Sequence, residues 1–240
     1  MIGAWLQAAD LTCRYIVTPN VQHVVKLQNH PQLLDAYQHA TLVVADGWPL
    51  VTASRWLGRP LPERVAGSDL VPNLCGMASA AAPLRVFLLG AAPGVADRAK
   101  LRIEQRWPHV SVCGVHSPPL GFELDPAANL EIIASVNACR PDLLVVGLGA
   151  PKQELWLRVN ASQLRAKVAI AAGATIDFLA GQQTRAPRWI QRLKLEWLHR
   201  VLSDPRRLAG RYVRDGWAFP RLFWREYRRR TPSSFENEEK

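Results

Sequence analysis

The segment 142–154 constrains the fold more than any other part of the sequence. It opens with an unbroken apolar run at 143–146, typical of a parallel strand buried on both faces. Gly147 and Gly149 end the run, and Pro151 is well placed to start a helix. Strand, glycine turn and helix in this order predict an α/β fold, in which ligands bind outside the carboxyl ends of the strands. Polar residues at 152–154 favour a binding site here, with an ordinary turn as the alternative.

Five further apolar runs predict strands at 15–20, 41–45, 85–90, 109–115 and 167–172. Helical patterns separate these runs, and Ser68 and Asp125 are predicted to cap two of the helices. The predicted fold class is therefore α/β, a Rossmann-like parallel sheet with helices on both faces plus a C-terminal helical appendage. We expect a core at 1–181, a basic and aromatic helical appendage at 182–230 and a disordered tail at 231–240.

The cysteines and the apolar runs exclude several classes of protein. The four cysteines form no Cys-x-x-Cys pair, which indicates small buried residues in a reducing compartment. No apolar run approaches the ~20 residues of a membrane span, and the N-terminus lacks the pattern of a signal peptide. We therefore expect a cytoplasmic protein.

Positive charge is concentrated near the C-terminus. Residues 185–230 contain fourteen Lys and Arg against four Asp and Glu, so this segment carries the net charge of +10 of the whole chain. Such a block indicates an anionic partner: nucleic acid, lipid headgroups or a phosphorylated substrate. Eight aromatic residues are interleaved with it, a pattern that suits a membrane surface or RNA, although Trp189 and Trp197 are expected to pack on the core. We predict helices at 190–202 and from 206 to about 215.

Isolated polar residues stand at several predicted strand ends. They are Thr18, Asn20, Asp46, Gln153 and Asp177. By itself the pair Asp46-Gly47 favours a simple turn. No Asp-x-Asp motif, no metal-ligand spacing and no Gly-x-Ser-x-Gly elbow occurs in the sequence. One carboxylate among neutral hydrogen-bonding groups suits a single general base and no covalent intermediate.

These residues resemble motifs of the WecG/TagA/CpsF glycosyltransferases, bacterial enzymes that build cell-surface polysaccharides on a lipid carrier. The resemblance spans roughly residues 15 to 215, and Pro-Lys-Gln-Glu after Gly-Leu-Gly is its most specific part. The matching motifs are Thr18-Pro-Asn20, Asp46-Gly47, Leu61-Pro-Glu-Arg-Val65, Gly67-Ser-Asp69, Val86-Phe-Leu-Leu-Gly90, residues 141–154, Gly173-Ala-x-x-Asp177, Arg185-Ala-Pro-x-Trp189, Leu195-Glu-Trp-Leu-His-Arg200 and Asp204-Pro-Arg-Arg207.

The resemblance implies an inverting, metal-independent transfer of a sugar from a UDP-sugar to an undecaprenyl-diphosphate-linked sugar, with no cofactor. It matches Asp46 to the general base, Thr18 and Gln153 to polar residues beside the transferred sugar, and Arg64 to an arginine important for activity. Asp177 matches a contact of the uracil end. Further residues expected to bind the nucleotide sugar are Asn20, Gly47, Gly90, Gly149, Lys152, Arg200 and Arg207, of which the two arginines match those thought to close over the diphosphate.

The expected partners are the UDP-sugar donor, the undecaprenyl-diphosphate-linked acceptor and an anionic membrane surface that contacts residues 185–230. The protein would then be peripheral on the inner face of the cell membrane. We expect no nucleic acid partner, and a homo-oligomer is left open. One alternative is a non-catalytic nucleotide-sugar or RNA-binding protein. The other is a dinucleotide-dependent oxidoreductase, which is weak because the glycine turn after Gly90 lacks Gly-x-Gly-x-x-Gly.

Overall fold

A computed structural model of the chain describes residues 1–184, 186–187, 190, 195–203 and 205–230, without the side chains of Arg200, Arg207 and Arg230. These residues divide into two compact units, each built from separate segments. The first contains Met1–Thr18, His30–Val44 and Val65–Thr184; the second contains Pro19–Asn29, Ala45–Arg64 and the described residues after Thr184. The predicted tail at 231–240, Arg185, Trp189 and Asp204 lie outside the described residues. The predicted domain boundary at residue 181 stays a prediction.

One parallel sheet of six strands forms the centre of the first unit. Its strands are β1 (Arg14–Val17), β2 (Leu42–Val43), β3 (Leu84–Gly90), β4 (Val110–His116), β5 (Leu143–Gly147) and β6 (Val168–Ala171). They lie in the order β2-β1-β6-β5-β3-β4. Every neighbouring pair is parallel, so the predicted α/β fold class is confirmed.

The helices of the described residues are numbered in chain order. They are α1 (Ile2–Leu6), α2 (Val21–Leu27), α3 (Pro31–Gln38), α4 (Trp48–Trp56), α5 (Gly67–Gly76), α6 (Val95–Arg106), α7 (Pro126–Cys139), α8 (Lys152–Asn160), α9 (Thr175–Leu179), α10 (Glu196–Ser203) and α11 (Pro205–Arg230). Short 3₁₀ turns occur at Phe122–Leu124 and Ala161–Gln163. Helices α2, α4, α10 and α11 belong to the second unit, and the others to the first.

Strand β5 shows why its sequence is apolar without alternation. It lies between β3 and β6, so neither of its edges is open. All four side chains from Leu143 to Val146 are fully buried, because the sheet is covered on both faces at this position. The continuous apolar run therefore correctly predicted a strand in the middle of the sheet.

Helix starts agree with the sequence at some positions and not at others. Asp125 caps α7 as predicted, since its carboxylate accepts hydrogen bonds from the backbone N–H groups of Ala127 and Ala128. The predicted cap at Ser68 is wrong, because α5 already begins at Gly67. Pro151 likewise precedes α8 instead of starting it.

Helix α11 is longer than the sequence predicts. It continues for 26 residues through Gly216 and Pro220, although both residues disfavour a helix interior. Packing within the second unit favours the longer helix: α11 contacts α2 and α10, and Phe223 meets Trp56 of α4 with ring centroids 6.3 Å apart. Tertiary contacts thus outweigh the local propensity near residue 216, and the helical character of the appendage is confirmed.

Two aromatic residues link the C-terminal helices. Trp197 of α10 lies against Tyr212 of α11, with ring centroids 6.0 Å apart. Trp197 nevertheless stays 48% exposed, so the expectation that it is buried in the core is wrong. Among the described residues, none of the helices combines the length and the apolar character that crossing a bilayer requires.

Candidate active site

Thr18 stands directly after β1, at the carboxyl edge of the sheet in the first unit. Its side chain is buried, and its hydroxyl donates a hydrogen bond of 3.0 Å to the carbonyl of Ala171, the last residue of β6. This bond joins two neighbouring strand ends that lie 153 residues apart in the sequence. Thr18 therefore helps to fix the sheet edge at which a parallel fold binds its ligands.

Gln153 connects the next two strand ends. It belongs to the first turn of α8, is only 2% exposed, and accepts a hydrogen bond of 3.1 Å from the backbone N–H of Gly173, which follows β6. Its amide nitrogen donates a hydrogen bond of 2.8 Å to a carboxylate oxygen of Glu154. The side chain of Gln153 is thus held in one orientation, as a group beside a substrate needs to be.

The remaining predicted residues of the first unit surround the same strand ends less directly. Lys152 pairs with Glu123, and this contact holds the pKa of the Glu123 carboxyl below its usual value. Asp177 lies in the first turn of α9 and is partly exposed. Gly149 has a φ of +80°, a left-handed conformation that suits glycine and bends the chain between β5 and α8.

The packing of the strands requires glycine at position 90. It ends β3 with a φ of +113°, and a Cβ atom there would lie 2.5 Å from the carbonyl oxygen of Gly147 at the end of β5. Contacts this short do not occur, so only glycine allows β3 and β5 to pair up to their last residues. The close approach of strands explains Gly90 without any ligand.

The second unit contains a cavity of about 400 Å³. Its wall combines three acidic groups, two arginines and several aromatic rings. The lining residues are Asn20, Val21, Gln22, Asp46, Gly47, Trp48, Pro49, Arg64, Glu196, Trp197, Arg211, Tyr212, Asp215, Gly216, Phe219 and Pro220. Four residues predicted from the sequence, Asn20, Asp46, Gly47 and Arg64, therefore share one cavity.

The backbone fixes Asp46 and its neighbours. The N–H of Asp46 donates a hydrogen bond of 2.7 Å to the carbonyl of Pro19. Gly47 directly precedes the first residue of α4. Asn20 caps α2, because its side-chain oxygen accepts a hydrogen bond of 3.0 Å from the backbone N–H of Gln22. Asn20 and Gly47 thus serve as helix starts in this structure, and both line the cavity.

Arg64 lies between two carboxylates. Its Nη1 atom is 2.7 Å from Oε2 of Glu196 and 3.8 Å from Oδ1 of Asp46. The side chains of Arg64 and Glu196 are each 14% exposed, and that of Asp46 is 23% exposed. The shorter contact is a charge-assisted hydrogen bond, whereas the longer one is too long for a hydrogen bond. Asp46 therefore lies in the field of a cation that is bonded to another group.

Glu196, Arg211 and Asp215 are residues that sequence reasoning did not select. Asp215 is 8% exposed, and burial raises the pKa of its carboxyl, while the positive charges of Arg211, Arg214 and Lys26 oppose that rise. Glu196 stands within the motif Leu195-Glu-Trp, so its signal was present in the sequence. Nothing local marks Asp215 as a buried residue, because Arg214 precedes it and Gly216 follows it.

Arg200 and Arg207 belong to α10 and α11, and their side chains lie outside the described part of the structure. Across the ranges that are described, no three His, Cys, Asp or Glu side chains are grouped so as to hold a metal ion. The first unit brings Thr18 and Gln153 to the ends of β1, β5 and β6. The second unit brings Asp46 and Arg64 into its cavity.

This arrangement suits proton transfer and the binding of anions. A carboxylate such as Asp46 accepts a proton from a hydroxyl group, and a nearby guanidinium stabilises negative charge that develops during a reaction. A parallel α/β fold with polar residues at its strand ends, and with a cavity lined by carboxylates and arginines, is typical of a group-transfer enzyme.

Comparison with known proteins specifies the class. The model of the family described as glycosyl transferase WecG/TagA/CpsF matches residues 1–233. The chain belongs to this family and is a glycosyltransferase, so the resemblance predicted from the motifs is confirmed.

Similar proteins of known name come from Staphylococcus aureus. A protein of strain MRSA252 named N-acetylglucosaminyldiphosphoundecaprenol N-acetyl-beta-D-mannosaminyltransferase is 32% identical over 195 residues, which cover 81% of this chain and 74% of that protein. Proteins of the same name from strains MW2 and NCTC 8325 / PS 47 are each 31% identical over the same shares of both chains.

Proposed function

We propose that this glycosyltransferase moves a sugar from a UDP-sugar to an undecaprenyl-diphosphate-linked sugar, with inversion and without a metal ion, in cell-surface polysaccharide synthesis. The name of the S. aureus relatives supports N-acetylglucosaminyl diphosphoundecaprenol as the acceptor and N-acetylmannosamine as the transferred sugar. Sugar transfer with inversion needs one base that removes a proton from the attacking hydroxyl group.

Asp46 is our candidate for that base, and its place in the cavity of the second unit carries the proposal. Its carboxylate lines this cavity, with Oδ1 3.8 Å from Nη1 of Arg64. The positive charge of Arg64 is close enough to stabilise an anionic substrate in the same cavity.

The donor is assigned to the residues that the family resemblance suggests. Thr18 and Gln153 would contact the transferred sugar, and their side chains are held by the hydrogen bonds to Ala171 and from Gly173. Asp177 would bind the uracil end, and Gly90, Gly149, Lys152, Asn20 and Gly47 would contribute further contacts. Arg200 and Arg207 would neutralise the diphosphate leaving group in place of a metal ion.

Membrane attachment is part of the proposal because the acceptor is a membrane lipid. One face of α11 exposes Trp217 and Trp224 together with Arg221, Arg225 and Arg228. Tryptophan side chains insert at the interface, and arginines are attracted by anionic headgroups. The protein would bind the inner face of the cell membrane peripherally through residues 185–230.

A donor screen tests the function. The purified full chain is incubated with a short-chain N-acetylglucosaminyl diphosphate lipid and, in turn, with the UDP derivatives of N-acetylmannosamine, its uronic acid and glucose. We expect turnover with UDP-N-acetylmannosamine and, because the mechanism inverts, a β linkage in the product by NMR. An α linkage, or no turnover with any of the three donors, would contradict the proposal.

A further inference from the structure

We infer that Asp215 is a specificity-determining residue for the acceptor, whose sugar donates a hydrogen bond to the buried carboxylate of Asp215 in the cavity of the second unit. The inference rests on the proposed function, which supplies the acceptor as a sugar linked through a diphosphate to a lipid. It adds to that function a residue that recognises the acceptor sugar.

Asp215 is a buried charged residue of the cavity wall, and it is 8% exposed. Lys26, Arg211 and Arg214 are near enough for their charges to act on its carboxylate. Within the part of the chain that the structure describes, however, no residue forms a hydrogen bond or an ion pair with this carboxylate. A buried carboxylate without hydrogen bonds costs the fold free energy. Such a cost is typical of groups that serve a ligand.

One face of α11 presents Asp215 to the cavity. Arg211, Tyr212, Gly216 and Phe219 stand three or four residues from one another or from Asp215 along the helix, and all of them line the cavity. In the described part of the structure, a Cβ atom at Gly216 would meet nothing within 4 Å. The space beside Asp215 is therefore open to a ligand.

The aromatic wall of the cavity favours a sugar as that ligand. Trp197 lies against Tyr212 with ring centroids 6.0 Å apart, and Trp197 is 48% exposed. The C–H groups of a sugar ring pack on aromatic rings, while its hydroxyl and amide N–H groups donate hydrogen bonds to a carboxylate. The oxygens of a diphosphate diester have no proton to donate. Asp215 therefore suits the sugar of the acceptor and not its diphosphate.

The size of the cavity agrees with a single sugar. Its volume of about 400 Å³ lies near the lower end of the range of about 300–1,000 Å³ that is usual for ligand pockets. Asp46, the candidate base, lines the same cavity. The base removes a proton from the attacking hydroxyl group, which belongs to the acceptor sugar. The sugar in this cavity is therefore that of the acceptor and not that of the donor.

Calorimetric binding tests the inference without sugar transfer. The full chain is titrated with a short-chain N-acetylglucosaminyl diphosphate lipid and, separately, with the same lipid diphosphate without its sugar. Asp215→Ala should weaken binding of the first ligand about 100-fold, and Asp215→Asn about tenfold, because a neutral amide accepts a weaker hydrogen bond than a carboxylate. Binding of the second ligand should stay the same or become tighter, since a negative charge is removed.

Analogues of the acceptor identify the contact. Each analogue lacks one hydroxyl group or the acetamido group of the sugar. For the analogue without the contacting group, the wild-type protein should lose about 100-fold in affinity, whereas Asp215→Ala should lose less than about threefold. Equal losses in both proteins for every analogue would overturn the inference, because no group of the sugar would then depend on Asp215.

The matched control is Glu131→Gln, which removes an exposed carboxylate from α7 of the first unit and should change neither affinity. Thermal unfolding at neutral pH should show Asp215→Asn to be at least as stable as wild type, so weaker binding cannot come from a lost fold. Asp215→Asn should also leave the affinity for the UDP-sugar donor unchanged.

Three results would contradict the role of Asp215. They are unchanged affinity of both variants for the sugar-bearing lipid, equal weakening with and without the sugar, and weaker binding of the donor in place of the acceptor. The proposed function fails separately: if none of the donors is turned over, the dependence of acceptor affinity on Asp215 is still measurable.

Discussion

Replacing Arg221, Arg225 and Arg228 together by glutamine should weaken binding to anionic vesicles by about a hundredfold. These arginines line one exposed groove along α11, so all three can face a membrane at once. Anionic lipid attracts each of them by about 1 kcal/mol, and the loss of about 3 kcal/mol corresponds to a factor of roughly 100 to 200 in affinity.

The assay is co-sedimentation of the full chain with vesicles of phosphatidylglycerol and phosphatidylcholine. At about 1 M salt the Debye length falls to roughly 3 Å, so the difference between wild type and variant should largely disappear. Replacing Trp217 and Trp224 by serine should also weaken binding, but the effect should persist at high salt, because apolar insertion is not screened. The two side chains are 67% and 54% exposed.

A matched control removes three exposed arginines from the first unit: Arg98, Arg102 and Arg106 of α6. This triple variant lowers the net charge by the same amount, yet it should retain most of the vesicle binding. Equal weakening by both triple variants would mean that overall charge governs adsorption. Vesicle binding that changes neither with the α11 substitutions nor with the salt concentration would refute membrane binding through α11.

The other predictions concern chemistry and stability. Asp46→Asn should lower turnover by roughly 10²–10⁴-fold with little change in UDP affinity by calorimetry; near-normal rates would exclude the base. Activity should survive EDTA, and loss restored only by added magnesium or manganese would show that a metal serves the diphosphate. Gly90→Ala should destabilise the fold by about 2–5 kcal/mol in urea unfolding, because its Cβ would collide with Gly147; a loss below about 1 kcal/mol would contradict the collision. Burial raises the folded-state pKa of Asp215, so wild-type stability falls as pH rises through that pKa; Asp215→Asn should therefore melt higher than wild type at neutral pH, with the gap closing in acid, and a gap independent of pH would refute this.

The sequence predicted the sheet well because each strand carries its own signal. The run at 143–146 is apolar without alternation, and β5 is fully buried there. The order of the strands carried no such signal. Ile16 of β1 pairs with Ile170 of β6, and neither residue indicates the other in the sequence. Strand order depends on which long-range pairings bury the most apolar surface together.

Helix ends show a similar division. Asp125 and Pro126 predicted the start of α7, since a cap acts on the next two or three residues only. The end of the helix predicted near residue 215 failed, because α11 continues through Gly216 and Pro220. There α11 packs on α2 and α10 as well as on Trp56, and this tertiary packing is not visible in the local sequence.

For the candidate site, the sequence by itself determined the family motifs, the polar residues after the strands and the concentration of positive charge near the C-terminus. Each of these features is visible in a short stretch of neighbouring residues. Only the tertiary structure decided that Arg64 bonds to Glu196, that Asp215 is buried beside the same cavity and that Gly90 is required by Gly147. Each of these contacts joins residues far apart in the chain, and its distance is set by the packing of whole helices and strands, which no local pattern of residues specifies.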